Sequence, residues 1–128
     1  WNKCGMSRNE KNLNEAIIEI QKLRKDFYND IFVPGTNDSF NEPLAKALRV
    51  ADFLELGELF AKDALERKES CGGHFREEYQ TPEGEAMRDD KDFTFVSAWE
   101  YKGYPSKAKL HKEKLSYNNV ELKTRSYK

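Results

Sequence analysis

The first regular hydrophobic pattern covers residues 12–31, where large apolar side chains recur at steps of three and four residues. The stripe consists of Leu13, Ile17, Ile20, Leu23 or Arg24, Phe27 and Ile31. This spacing is typical of an amphipathic helix that buries one face. Asn12 with Glu15 three positions later is a variant of the capping box and predicts the start of the helix. Because burial of each apolar side chain contributes about 1.5 to 3 kcal/mol before chain entropy is subtracted, this helix needs a packing partner.

A second helix is predicted over residues 41–69. Turn-forming residues at 33–39 separate it from the first helix, since Pro34 disfavours helical angles at Val33. Pro43 is tolerated in a first helical turn. The apolar positions cover well over half of the circumference and are Leu44, Ala47, Leu48, Val50, Ala51, Phe53, Leu54, Leu56, Leu59, Phe60, Ala64 and Leu65. The pattern indicates a helix that is buried on two sides.

The first helix can cover only one of those two sides, so a further element must cover the other. Residues 1–6 begin with the large aromatic Trp1 and without an initiator methionine. We interpret them as the last turns of a preceding helix, and the chain as a fragment of a longer protein. The expected fold is mainly α, a three-helix bundle whose first helix is truncated.

From Phe93 the hydrophobic period drops to two, which predicts a strand. One face of this strand consists of Phe93, Phe95, Ser97, Trp99 and Tyr101. After a turn at 103–106, residues 109–112 form a second predicted strand, and Val120, Leu122 and Thr124 mark a third candidate. We therefore expect a small antiparallel β tail.

These patterns divide one domain, residues 1–128, into three parts. The helical part is 1–70, a glycine-rich contact loop follows at 71–92, and the β-rich tail covers 93–128. A chain of 128 residues is long enough for one core and too short for a cofactor domain plus a substrate domain.

Charge and hydropathy exclude several classes of partner. With 22 basic and 23 acidic residues the net charge is −1, so no strong field attracts nucleic acid or an anionic membrane. No apolar run approaches the roughly 20 residues that span a bilayer, and no leader segment precedes a cleavage site. We expect a soluble, cytoplasmic chain without membrane insertion.

Catalytic and cofactor motifs are missing from the sequence. It has no GxGxxG, GxxxxGK[ST], GxSxG or HExxH pattern. Cys71 and His74 have the spacing of half a metal site, but Cys4 and His111 do not complete it. Two distant cysteines without a CxxC indicate free thiols in a reducing compartment. We expect no catalytic, cofactor-binding or metal-binding residues in this chain.

The most particular run is at 69–79, where a helical pattern stops at two adjacent glycines. Gly72 can adopt a positive φ as a helix C-cap, and Gly73 allows close approach of another surface. His74 could act as a general base, but no nucleophile lies near it in sequence, which favours a hydrogen-bonded structural or interface histidine. Arg76 and Arg88 can bind a carboxylate, although ion pairs that close the loop are the more economical account. The predicted contact residues are Gly72, Gly73, His74, Arg76, Glu77, Arg88, Asp89 and Asp90.

Five segments in order resemble one known domain. They are residues 6–10 (MSRNE), 51–56 (ADFLEL), 64–70 (ALERKES), 72–79 (GGHFREEY) and 88–90 (RDD). Together they resemble the C-terminal domain of the flavoprotein subunit of succinate dehydrogenase and fumarate reductase, which L-aspartate oxidase shares. Cys71 stands where the family has arginine, Gly73 replaces alanine and Glu78 replaces aspartate. Residues 99–101 and 124–128 look closest to flavoproteins of Bacteroides-like anaerobes.

The resemblance implies a parent enzyme whose chemistry lies before Trp1. In this family an N-terminal dinucleotide-binding domain holds FAD, a capping domain helps to bind the dicarboxylate, and electrons pass to or from an iron-sulfur subunit and quinone. The C-terminal domain is a spectrin-repeat-like bundle with a tail that packs on the flavin domain. The resemblance thus implies a structural and docking role, an inactive fragment without FAD, and a parent that is peripheral on the cytoplasmic face of the inner membrane.

Two other functions stay open. A free-standing helical interaction module would recruit a protein through the wide apolar face of residues 44–65. A carboxylate-binding domain would use His74, Arg76 and Arg88, and would have measurable affinity for succinate.

Overall fold

Two long helices and two small strand pairs make up the fold. The computed structural model describes residues 1–36, 38–103 and 107–123. In chain order the elements are β1 (Ser7–Arg8), α1 (Glu10–Asp30), α2 (Glu42–Glu66), β2 (Phe75–Arg76), β3 (Phe95–Glu100) and β4 (Lys109–Lys114). This order confirms a helical domain with a small antiparallel β tail.

Helix α1 begins two residues before its predicted start, because its N-cap is Asn9 and not Asn12. Asn9 has extended backbone angles (φ −141°, ψ 161°). Its side-chain oxygen accepts the Asn12 N–H at 2.8 Å, which satisfies one of the free donors of the first turn. The Glu78 carboxylate accepts the Glu10 N–H at 2.5 Å. The prediction of Asn12 as the cap is therefore wrong, and part of the capping comes from a distant loop.

Helix α2 begins next to the predicted start and ends earlier than predicted. The Asn41 side chain accepts the Leu44 N–H at 3.0 Å, and Pro43 lies in the first turn. The helix ends at Glu66, where the pattern predicts residue 69. Beyond this end, the Glu69 carboxylate accepts the Asp89 N–H at 2.8 Å, and the Ser70 N–H donates to the Met87 carbonyl at 2.9 Å. Bonds to the following loop replace further turns of helix.

The interface between the helices combines small apolar side chains with ion pairs. Its buried apolar residues are Leu13, Ala16, Ala61 and Ala64. Of the two alternatives at one position of the α1 stripe, Arg24 is buried (9 % exposed), while Leu23 is 56 % exposed. Arg24 Nη1 lies 3.6 Å from Glu58 Oε2, and Arg24 Nη2 lies 3.5 Å from Glu55 Oε2.

Large apolar side chains around much of the circumference of α2 have no cover in the described chain. The exposed large side chains of this helix are Leu44, Leu48, Val50, Phe53, Leu56 and Phe60. The described residues form two helices, and residues 1–6 form turns and bends where the sequence predicted the end of a helix. A three-helix bundle is therefore not confirmed, although the uncovered face agrees with a helix that has two apolar sides.

Strands β3 and β4 confirm the first two predicted strands. They pair antiparallel with Phe95 opposite Lys114 and Glu100 opposite Lys109. Strand β3 begins at Phe95 and not at Phe93. Half-buried side chains alternate with exposed ones from Phe95 to Trp99, as predicted, but Glu100 is half-buried and Tyr101 is exposed, opposite to the prediction. Trp99 Nε1 donates to Asp63 Oδ1 at 2.8 Å, which ties the hairpin to α2.

The third predicted strand is absent from residues 115–123, and its last position, Thr124, lies outside the described residues. The Leu115 N–H donates to the Thr94 carbonyl at 3.1 Å, which extends the hairpin by one bond. The predicted turn at 103–106 also lies mostly outside the described residues. Neither of the two described helices is long and apolar enough to cross a membrane.

Candidate contact site at the exit of helix α2

Arg76 closes the C-terminal end of α2 from inside the molecule. Its side chain is 1 % exposed. Nη1 donates to the carbonyls of Ala64 (2.9 Å) and Leu65 (3.2 Å), and Nε donates to Glu78 Oε2 at 3.0 Å. The last carbonyls of a helix lack partners within the helix and carry partial negative charge, so a guanidinium is well suited to them. The structure thus places this predicted contact residue in the interior and not on a surface.

The two glycines form the tip of a tight turn. Cys71 and His74 exchange backbone hydrogen bonds of 2.8 and 3.0 Å across them. Gly72 has φ +59°, a left-handed conformation that favours glycine. Its predicted role as helix C-cap is wrong, because α2 has already ended and Arg67 is the C-cap. A Cβ on Gly72 or Gly73 would meet no atom within 4 Å, so the tip is open.

Ser70 fastens the base of this turn. Its Oγ accepts the Arg76 N–H at 2.8 Å and donates to the Arg76 carbonyl at 3.2 Å. Ser70 is 1 % exposed. A small hydroxyl with one donor and two acceptor sites can make both bonds at once. The loop is therefore closed by its own residues.

His74 has both ring nitrogens engaged. Nε2 lies 3.0 Å from the Arg67 carbonyl, and Nδ1 lies 2.9 Å from Arg8 Nη1. Since a carbonyl only accepts and an arginine only donates, this geometry assigns the proton to Nε2 of a neutral ring. Burial lowers the pKa of His74, and the charges of Arg8, Arg76 and Arg67 act in the same direction, against the bond to the Arg67 carbonyl. The imidazole serves as a hydrogen-bonded bridge.

Arg8 belongs to this site and escaped the sequence analysis. Strands β1 and β2 pair parallel with Arg8 opposite Arg76, and the Glu77 N–H donates to the Arg8 carbonyl at 2.8 Å. Its Nε donates to the Gly5 carbonyl at 2.8 Å. Two-residue strands have no detectable period, and the paired residues are 68 positions apart in the sequence. The sequence signal that could have identified Arg8 was its position in the segment at 6–10 (MSRNE), which resembles the family.

The carboxylates of Glu77 and Glu78 bind the start of α1. Glu77 accepts from Ser7 Oγ at 2.7 Å and from Asn9 Nδ2 at 2.9 Å. Hydrogen bonds from Asn9 and Ser7 lower the pKa of Glu77. For Glu78, burial opposes ionisation, and the Glu10 N–H and Arg76 still hold its pKa below the usual value. The loop after α2 is thus anchored to both helices.

The Arg88-Asp89-Asp90 segment is held mainly by local contacts. Arg88 Nη2 donates to Asp90 Oδ2 at 2.7 Å, and this bond raises the pKa of Arg88 above its ordinary value. Arg88 Nη2 also lies 3.3 Å from the Lys123 carbonyl. The Asp89 carboxylate accepts the N–H groups of Lys91 (3.1 Å) and Asp92 (3.2 Å).

The site is an intramolecular brace with an exposed tip. His74, Arg76 and Arg88 each have polar atoms bound within the chain, so they do not present a common set of free donors to a carboxylate ligand. No group of three or more His, Cys, Asp or Glu side chains in the described segments could hold a metal ion. Cys4 and Cys71 are free thiols, and Cys71 is exposed. For the predicted contact residues other than Arg76, the docking role stays a prediction.

Comparison with known proteins gives a consistent set of relatives. Residues 1–127 match a family model described as the fumarate reductase flavoprotein C-terminus. The chain is 34% identical over 79 residues to one subunit of the CoM/CoB fumarate reductase of Methanothermobacter marburgensis, covering 62% of this chain and 14% of that protein. It is 32% identical over 76 residues to the fumarate reductase flavoprotein subunit of Haemophilus influenzae, covering 59% and 12%. The chain therefore matches only a small part of the length of these curated relatives.

The fold is also similar to that of a solved structure. A mutant of FrdA from E. coli quinol fumarate reductase superposes with a TM-score of 0.78 at 24% identity, over 93% of this chain and 19% of that one. At this identity the likeness is evidence for the fold alone.

Proposed function

The chain belongs to the fumarate reductase flavoprotein C-terminal family, and from this premise we propose that it is the structural and docking domain of a longer flavoprotein that interconverts succinate and fumarate. The observation that carries the proposal is the match of residues 1–127 to the family model of the fumarate reductase flavoprotein C-terminus. Alignments that cover 14% and 12% of two fumarate reductase subunits agree with it. In the proposed parent, other domains bind FAD and the dicarboxylate. Electrons pass to or from an iron-sulfur subunit and quinone.

The bracing of the contact site supports a positioning role. Hydride transfer needs flavin and substrate to be held in a fixed geometry, and rigid elements behind the reacting groups supply it. The loop after α2 binds the C-terminal end of α2 through Arg76 and the start of α1 through Glu77 and Glu78. Its open tip at Gly72 and Gly73 is the part that is free to meet another domain.

We also propose how this chain is divided into units within the parent. The units are the helical part at 1–70, the contact loop at 71–92 and the β-rich tail at 93–128. A third helix of a spectrin-repeat-like bundle would come from the parent and cover α2. The parent would be peripheral on the cytoplasmic face of the inner membrane.

The test compares the 128-residue chain with the full-length parent. We expect the purified chain to show no flavin absorbance and no fumarate reduction by a reduced viologen dye, and the parent to show both. Titration of the chain with succinate in a calorimeter should give no heat. Flavin absorbance with turnover in the chain alone, or a parent without flavin, would contradict the proposal.

The exposed apolar face of α2 also favours a second candidate, a free-standing helical interaction module. The coding sequence before Trp1 discriminates between the two. Several hundred in-frame residues with a GxGxxG motif support the flavoprotein domain, and an in-frame stop codon supports the module.

A further inference from the structure

The hairpin of β3 and β4 has two outer edges, and an arginine binds the edge of β3. Arg67 Nη1 donates to the Phe93 carbonyl at 3.1 Å, and Arg67 Nη2 donates to the Phe95 carbonyl at 3.1 Å. The end of α2 thereby closes part of this edge. In residues 1–36, 38–103 and 107–123, no strand other than β3 pairs with β4. The outer edge of β4 is therefore open in the described chain.

The hydrogen-bond register of the hairpin shows which backbone groups of β4 face outward. The Leu115 N–H donates to the Thr94 carbonyl, and these two residues continue the antiparallel register of the strands. Because hydrogen-bonded pairs alternate along antiparallel strands, every second residue of β4 bonds to β3. The residues whose N–H and C=O groups point away from β3 are Leu110, Lys112 and Lys114.

The outer edge of β4 carries positive charge on both faces of the sheet. Lys109 and Lys114 are exposed, and neither has an ion pair within the described residues, whereas Lys112 pairs with Glu66 at 2.9 Å. Lys109 and Lys114 are five positions apart, so they project to opposite faces. The strand has a continuous register and no proline, so lysine is the only common form of edge protection that it carries.

These lysines determine which kind of strand can be added to the edge. A second copy of β4 is disfavoured, because it brings further lysines to the same edge. A strand with acidic side chains is favoured, because oppositely charged cross-strand pairs stabilise a sheet. Phosphate groups only accept hydrogen bonds, so nucleic acid or an anionic membrane would leave the outward carbonyls unpaired. The alternating donors and acceptors of the edge match a polypeptide backbone.

We propose that β4 binds an extended acidic segment of a separate subunit as a third strand, with two carboxylates five positions apart against Lys109 and Lys114. The inference deepens the proposed docking function and rests on it, because a docking domain needs a partner. Residues 101–128 carry +6 and residues 1–100 carry −7. This separation of charge orients a diffusing acidic partner toward the tail. A domain on the same polypeptide needs no such attraction from a distance, which favours a separate subunit.

The test is amide hydrogen exchange in the full-length flavoprotein, measured residue by residue by mass spectrometry with electron-transfer fragmentation. The probe, at millimolar concentration, is the end-blocked peptide TEVTTVET, whose glutamates are five positions apart, and the control peptide TKVTTVKT has lysines there. Without peptide, we expect the outward amides of Leu110, Lys112 and Lys114 to exchange at least 100-fold faster than the ladder amides of His111 and Glu113. With the glutamate peptide, exchange of the outward amides should slow at least tenfold, and the ladder amides should stay unchanged.

Four results would overturn the proposal. Slow exchange of the outward amides in flavoprotein without peptide assigns the edge to another part of the parent. Slowing that depends on flavoprotein concentration assigns it to a second copy. Equal slowing by both peptides refutes selection by charge, and no slowing by either refutes the added strand. Flavin absorbance of the same preparation tests the proposed function separately, since flavin-free protein contradicts that function whatever the exchange rates are.

Charge reversal at the two lysines separates recognition from folding. The double variant Lys109→Glu, Lys114→Glu should lose the slowing by the glutamate peptide about tenfold and gain it with the lysine peptide. The matched control is Lys11→Glu, Lys22→Glu on exposed positions of α1, and it should respond to both peptides as the unchanged flavoprotein does. A β4 variant that still prefers the glutamate peptide would refute the contact with the two carboxylates.

Discussion

Arg76 shows how one side chain can end a helix and fix a loop together. It is buried, binds two terminal carbonyls of α2 and pairs with Glu78. Arg76→Met leaves these acceptors without a donor, and we expect the free energy of unfolding to fall by about 2–4 kcal/mol. Urea denaturation followed by circular dichroism measures the loss. Arg49→Met, on an exposed position of the same helix, should change stability by less than about 0.5 kcal/mol; equal losses for both variants would refute the capping role.

His74 offers a test through its titration. Burial and three neighbouring arginines lower its pKa below the ordinary 6.5. We expect an NMR titration of the folded chain to give a midpoint below 6.5, with the neutral ring protonated at Nε2. Arg8→Gln removes one cation and should move the midpoint upward. A wild-type midpoint above 6.5 would mean that the imidazole is not held as a neutral bridge.

At the scale of elements, the two adjacent glycines of the turn at 71–74 differ in backbone conformation. Only Gly72 has a positive φ, and neither glycine has a neighbour that a methyl group would hit. Gly72→Ala should therefore cost about 1 kcal/mol of stability, and Gly73→Ala less than about 0.5 kcal/mol. Thermal denaturation of the two variants side by side measures the difference. A larger loss for Gly73→Ala would show that the turn has another geometry.

The pairing of the two helices depends on a partly buried ionic group. Glu58 accepts from Gln21 Nε2 at 2.9 Å, and its pKa is lowered by Gln21, Lys62 and Arg24 although burial opposes ionisation. Glu58→Met leaves Arg24 without this partner, and we expect a loss of about 2–3 kcal/mol.

The double variant Glu58→Met, Arg24→Met replaces the pair with apolar side chains of similar size. It should recover most of the loss, because burying two uncharged chains avoids the desolvation cost. A double-mutant cycle in urea measures the coupling. Strictly additive losses would contradict an interaction between Arg24 and Glu58.

Local patterns predicted the elements of this fold better than their ends. The stripe of α1, the start of α2 near Asn41 and the alternation of β3 are each set by residues a few positions apart. The true cap of α1 was missed because Asn12, and not Asn9, has a glutamate three positions later. Glu77 binds Asn9 and Glu78 binds the Glu10 N–H from a distant loop, which local patterns do not reveal. The partners of Arg8 were missed for the same reason. The two adjacent glycines at the end of a helical pattern singled out residues 69–79 in the sequence, but the contacts that brace this run join distant parts of the chain and could not be predicted.

At the scale of the whole molecule, charge is distributed unevenly along the chain. Residues 101–128 contain eight Lys and Arg against two Glu, and residues 1–100 contain 14 against 21 Asp and Glu. Residues 101–128 therefore carry +6 and residues 1–100 carry −7, which sum to the net charge of −1. Lys112 in the tail pairs with Glu66 of α2 at 2.9 Å. Attraction between the two regions helps to hold the β tail on the helices and is weakened by salt.

Acidification should destabilise the molecule in two separate pH windows. The pKa of His74 is lowered by folding, so the unfolded chain takes up this proton first and stability falls as pH drops below about 6.5. The carboxyl groups of Glu58, Glu77, Glu78 and Glu100 also have lowered pKa values. Their contribution is complete above the unfolded pKa of about 4.5 and is lost as pH falls through the folded values.

Urea midpoints at pH 8, 5.5 and 3 separate the two windows. We expect a small decrease from pH 8 to 5.5 and a larger one from 5.5 to 3. His74→Gln should remove the first decrease and keep the second, because glutamine does not titrate and the four carboxyl groups are unchanged. A midpoint that rises on going from pH 5.5 to 3 would contradict the assignment, since it requires the folded chain to bind protons more readily than the unfolded one.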